Sequence, residues 1–134
     1  MTQVKRTWIQ VRGEADTIRA IMETKRTAHS LGFDDYHCQM ISTAVSELVR
    51  NILKYAGSGE VIIVPLTQQR RTGIEIVVKD RGPGIADLDQ AMQDDFSSSG
   101  TLGLGLPGVK RLMDEFEINS EVNLGTQVVI KQWL

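Results

Sequence analysis

Apolar positions change period several times along the 134-residue chain, and each change marks an element. Residues 4–12, VKRTWIQVR, mix polar and apolar positions among β-formers and predict a first strand, half-buried. From Asp16 to about Leu31 the period becomes helical, with Ile18, Ile21, Met22 and Ala28 as the expected apolar stripe and Gly32 as the stop. A second helix is expected from Asp34 or Asp35, either of which can cap it, to about Tyr55, ahead of Gly57 and Gly59. EVIIVPLTQQ and GIEIVVKD follow as two antiparallel strands around a polar turn at Arg70–Gly73. Pro65 suggests that the first of them is an edge or bulged strand.

Gly82, Pro83 and Gly84 break the pattern, and residues 86–99, ADLDQAMQDDFSSS, are polar with room for one short helix. That composition suits a mobile lid. A third main helix begins at Leu106, with Leu106, Val109, Leu112, Met113 and Phe116 on one face and Pro107 near its first position. FEINSEV and TQVVIKQWL then read as two strands about a turn at Asn123–Gly125. The expected fold is α+β, a two-layer α/β sandwich with three main helices on one mixed, largely antiparallel sheet.

Composition narrows the function. The length is that of one domain, residues 1–134. A net charge of −2 with 24% charged residues lacks the basic excess of a nucleic-acid binder. The sequence has no signal-peptide pattern or membrane-length apolar run, so a cytoplasmic protein without a membrane partner is expected. Cys38 is the single cysteine, has no metal-ligand spacing with His29 and His37, and is expected to be a small buried hydrophobe on a helix. For Trp8 and Trp133 core packing is the expectation, and for Arg70 and Arg71 solvation; all four are also candidates for partner contact.

The candidate chemistry begins at GTLGLGLPGVK, residues 100–110, where Gly103, Gly105 and Gly108 spell G-x-G-x-x-G. No strand precedes it, as a dinucleotide fold requires, and the chain has neither the VAIK, HRD and DFG elements of conventional protein kinases nor a P-loop Gly-Lys pair. What remains is a glycine loop feeding a helix N-terminus, where backbone N–H groups attract phosphate. On the second helix Glu47, Asn51 and Lys54 recur at i, i+4 and i+7 and present a base, an amide oxygen for Mg²⁺ and a cation on one face. The same spacing also describes a solvated polar face with one Glu–Lys pair. Asp80 closes an apolar strand ahead of Arg-Gly-Pro-Gly-Ile, which makes either a carboxylate acceptor for an exocyclic amine or a plain tight turn.

Together, in this order and with a lid before the last loop, these stretches resemble the ATP-binding domain of the GHKL superfamily, which includes gyrase, the heat-shock protein of ninety kilodaltons, histidine kinases and MutL. Glu47 and Asn51 match its N box, Asp80, Gly82 and Gly84 its first glycine box, Gly103 and Gly105 its second, and Gly125-Thr126 its third. The resemblance implies that Asp80 binds the adenine amine with support from Thr126, that Asn51 holds Mg²⁺, and that Glu47 is the catalytic base. It places the phosphates of ATP on Gly100, Thr101, Gly103, Leu104, Gly105 and Leu106, with Lys54 nearby, under a lid over residues 86–101.

The phrases TAVSELVRNILKYAGSGEV, DRGPGI and GLPGVKRLMDEF are similar to the free-standing serine-kinase branch, which includes anti-sigma factors, and most of all to the stressosome switch kinases. That likeness implies phosphorylation of Ser or Thr on STAS-domain scaffold and antagonist proteins, followed by release and activation of a PP2C-type phosphatase. Anti-sigma kinases carry an arginine just before the second glycine box, whereas SSSGTLGLG has no basic residue, which leaves Lys54 as the γ-phosphate candidate. Two other outputs are an anti-sigma factor that sequesters a sigma subunit and a nucleotide-regulated binding module without significant turnover.

Overall fold

The computed structural model describes residues 5–92 and 105–134. Along the chain run β1 (Thr7–Val11), α1 (Glu14–Leu31), α2 (Asp35–Tyr55), β2 (Gly59–Gln68), β3 (Arg71–Lys79), α3 (Leu88–Ala91), α4 (Gly105–Leu112), β4 (Glu115–Glu121) and β5 (Gly125–Trp133). The strands form one five-stranded sheet in the order β1-β2-β3-β5-β4. Every described pairing is antiparallel, so the expected mixed element is absent among these residues.

Alternation builds the core. Ile76 and Val78 of β3 pair laterally with Ile130 and Val128 of β5 and with Ile63 and Val61 of β2, and these residues lie with Ile74 on one face, all buried. Above them α2 lays down Ile41, Val45, Leu48 and Ile52, the stripe its 3.6-residue period predicts, and α4 adds Val109. Asp34 caps α2, its carboxylate accepting the His37 N–H at 2.8 Å; that bond and the His37 ring hold the Asp34 carboxyl below the usual carboxylate range. Cys38 is buried in this layer as expected, and burial pushes its thiol up.

Several expectations are corrected. Helix α1 starts at Glu14, not Asp16, because the Asp16 carboxylate turns back to accept the Arg12 N–H at 2.8 Å. Its buried stripe is Ala20, Thr24 and Ala28, small residues that allow close approach, while Ile18 and Met22 are 59% and 63% exposed. The hairpin turn lies at Gln69–Arg70, both at positive φ (50° and 66°), and Gly73 belongs to β3. Pro65 sits beyond Ile63, where the register with β1 ends, so β2 is an edge over that half and interior over the rest. Helix α4 ends at Leu112, and Phe116 lies in β4 because Asp114 turns the chain, donating its N–H to Gln132 and accepting that of Trp133, each at 2.9 Å.

The tryptophans are not core residues. The helices cover one face of the sheet, and both rings lie on the other: Trp8 is 61% exposed, its Nε1 donating to Glu60. Trp133 is half-buried, stacked under the Arg71 guanidinium at 4.4 Å. The short helix expected after residue 86 is α3, capped by Asp87, whereas the remainder of the expected lid lies outside the described residues. No helix among the described residues is long and apolar enough to cross a membrane.

Gly73 is fixed by Trp133: a Cβ there would come 2.6 Å from the indole and 2.8 Å from the Gln132 carbonyl. Gly73→Ala should therefore destabilise the protein by about 1–3 kcal/mol, seen as a lower urea midpoint; an unchanged midpoint would mean that the ring moves freely.

Candidate functional site

The same stripe that anchors α2 sets the angle of its chemistry. With Ile41, Val45, Leu48 and Ile52 in the core, Glu47 is brought to the boundary of the layer, 9% exposed, and Asn51 one turn later is half-buried. The cation that meets Glu47 is Arg50, whose Nη1 lies 3.5 Å from Oε1. Lys54, a further turn along, is exposed, with its ammonium 5.1 Å from the Tyr55 ring centroid.

The end of α2 reaches the first glycine loop. Gly82 packs so closely beneath it that a Cβ would lie 2.5 Å from the Ala56 methyl. Asp80, half-buried where β3 ends, folds this loop on itself by accepting the Gly82 N–H at 2.8 Å.

The β4–β5 hairpin is woven into the same loop. Asp80 N–H donates to the Thr126 carbonyl at 2.9 Å and Asn123 N–H to the Pro83 carbonyl at 2.8 Å. Gly84 (φ 76°) and Gly125 (φ 120°) are both left-handed, and a Cβ on either would overlap backbone, of Glu121 and of Asp80 respectively. Only glycine fits these two crossings.

Ser120 completes the junction and is the residue that sequence reasoning missed. Its hydroxyl accepts the Ile85 N–H at 2.7 Å and lies 2.8 Å from the Thr126 hydroxyl. Within FEINSEV nothing but its place on the core-facing side of β4 distinguishes it.

Asp80, Gly82, Gly84 and Thr126 are thus assembled into one junction, and Glu47, Asn51 and Lys54 into one run of α2. Gly105 opens α4 and Leu106 follows it, with α4 packed against α2. Gly100, Thr101, Gly103 and Leu104 lie outside the described residues.

Comparison with known proteins gives the family and the fold. The family described as the histidine kinase-like ATPase domain matches residues 12–132. The chain is 44% identical to the serine/threonine-protein kinase RsbT of Bacillus subtilis over 126 residues, 94% of this chain and 95% of that one. It is 33% identical to an anti-sigma F factor of Geobacillus sp. over 99 residues, 70% of this chain and 68% of that one.

Among solved structures, the RsbU and RsbW domains of Rv1364c from Mycobacterium tuberculosis superpose with a TM-score of 0.63 at 15% identity, covering 94% of this chain and 32% of theirs. The chain therefore spans about a third of that structure. The mycobacterial sensor histidine kinase MprB gives a TM-score of 0.57 at 19% identity, covering 96% and 97%. These two likenesses show the fold. The chain belongs to the histidine kinase-like, or GHKL-type, ATPase domain family.

Ser120→Ala would leave the Ile85 N–H and the Thr126 hydroxyl each without this partner. It should cost about 1–3 kcal/mol of stability and weaken nucleotide binding several-fold, as measured by denaturation and calorimetric titration; unchanged affinity would detach Ser120 from the site.

Proposed function

We propose that this member of the GHKL-type family acts as one ATP-binding kinase domain over residues 1–134, transferring the γ-phosphoryl group of ATP to Ser or Thr of a partner protein. The observation that carries the reading is Glu47: a carboxylate held almost out of water at the centre of a packed helix, one turn from an amide, on the helix whose end rests on the Asp80 loop. Kinship with a serine/threonine-protein kinase along nearly its whole length supports it.

The junction supports a fit to ATP. Backbone crossings at Gly84 and Gly125 hold Asp80 and Thr126 side by side, as a carboxylate reading the adenine amine with a neighbouring support would require. Asn51 is the proposed magnesium ligand, and magnesium would supply charge neutralisation at the phosphates. Among the described residues no three of His, Cys, Asp and Glu converge on one point. One amide oxygen is a donor set suited to an ion that arrives on the nucleotide.

In the reaction Glu47 orients the acceptor hydroxyl and takes its proton as the oxygen attacks phosphorus in line. Gly100, Thr101, Gly103, Leu104, Gly105 and Leu106 supply the phosphate-facing segment under a lid over residues 86–101. The proposed acceptors are STAS-domain scaffold and antagonist proteins of a stressosome; after release the kinase binds and activates a PP2C-type phosphatase, all in the cytoplasm. Anti-sigma F factors at 33% identity keep a sigma-sequestering output as the second reading.

Two substitutions test the assignment with an STAS-domain protein as acceptor. Glu47→Gln should keep ATP affinity within about twofold and lower transfer by at least about a hundredfold; normal transfer would remove Glu47 as base. Asp80→Asn should weaken ATP binding by about tenfold or more, and equal affinity would defeat the adenine role.

A further inference from the structure

Residues 86–101, ADLDQAMQDDFSSSGT, contain no lysine or arginine, so the lid has no cation of its own to offer a phosphate. Transfer of a phosphoryl group nevertheless gathers negative charge that a cation must meet. Of the two cations on the α2 run, Lys54 lies over the Tyr55 ring. Arg50 reaches inward. Its side chain is 68% exposed, yet Nη1 approaches the Oε1 of Glu47, a side chain only 11% exposed, to 3.5 Å.

That contact has two consequences. An ion pair with one partner in water is weak and readily exchanged. While it lasts, the carboxylate oxygen that should receive a hydroxyl proton faces a guanidinium instead. Carboxylate and phosphate both can accept the planar guanidinium fork through two oxygens, but the terminal phosphate carries more charge and the present contact with Glu47 is a single one at 3.5 Å, so phosphate is the preferred partner. Arg50 is also the residue immediately before Asn51, so this cation and the proposed magnesium ligand issue from the same turn.

We propose that Arg50 is the γ-phosphate-binding residue of this chain, exchanging its ion pair with Glu47 for the γ-phosphoryl oxygens of bound ATP and thereby releasing the base. The inference rests on the kinase reading and adds the group that senses the third phosphate. In the step itself the acceptor O–H gives its proton to Glu47 and its oxygen bonds to the γ-phosphorus. The bond from phosphorus to the bridging oxygen breaks, and its electron pair leaves on ADP. Arg50 stays on the phosphoryl oxygens throughout. With ADP there is nothing to draw the guanidinium away, and Glu47 remains paired.

The test is the ratio of affinities for a non-hydrolysable ATP analogue and for ADP, by calorimetry with magnesium on the full chain. Arg50→Gln should weaken the analogue about tenfold and leave ADP within about twofold; Arg50→Lys should fall between Gln and wild type. A merely structural role would lower both affinities together, and that result, or an unchanged ratio in a variant with the wild-type melting midpoint, overturns the proposal. Wild-type protein that does not bind the analogue overturns it as well. Labelling an STAS-domain acceptor separates the two readings: absent transfer with the ratio shift intact removes the kinase assignment and leaves Arg50 on the γ-phosphate.

Discussion

A carboxylate held almost out of water in the middle of a helix is the constraint to which the surrounding structure is fitted. Glu47 can stay there only because Ile41, Val45, Leu48 and Ile52 fix the rotation of α2 against β2 and β3. Turning the helix by one position would bury the carboxylate fully or expose it. A carboxylate at that depth is favoured by a cationic neighbour, and Arg50, reaching in from the surface, supplies one at 3.5 Å. The core thus contributes to chemistry through orientation, and the sheet serves as the surface that supplies it.

Two segments distant in the chain stack in turn on the end of that helix. The first glycine loop closes on Ala56, and the β4–β5 hairpin closes on the loop through Gly84, Gly125 and Ser120. Each contact is made by backbone atoms, a methyl or a short hydroxyl, so the placement of Asp80 depends little on long, flexible side chains. Precision of this sort comes from close approach, which explains why glycines sit at both crossings.

Much of this was legible in the sequence, for identifiable reasons. The α2 face is readable because a strong apolar stripe leaves no ambiguity about which way Glu47 and Asn51 point. Asp80 is readable because an apolar strand ends there on a glycine turn. The helix expected at α1 is present, but apart from Ala28 its buried stripe differs from the expected one because Ile18 and Met22 outrank Ala20 and Thr24 in hydrophobicity, yet close helix packing selects small residues. The tryptophans were misread because the helices leave one sheet face uncovered, and a ring on that face finds edge partners such as Glu60 and Arg71. Ser120 and Arg50 carried no periodic signal; each is defined by a neighbour that only the fold supplies.

The junction between the Asp80 loop and the β4–β5 hairpin also ties together two points some forty residues apart in the chain, and the segment that carries α3, α4 and β4 is thereby anchored at both its ends. Between anchored ends, flexible chain adds closure entropy only with the logarithm of its length, so that doubling a loop adds about 0.6 kcal/mol. Flexible chain inserted between the anchors is therefore thermodynamically cheap, while altering the anchors, where a Cβ at Gly84 or Gly125 would overlap backbone, is not. The fold thus separates a stretch where added chain costs little from a frame whose backbone crossings leave no room for a side chain.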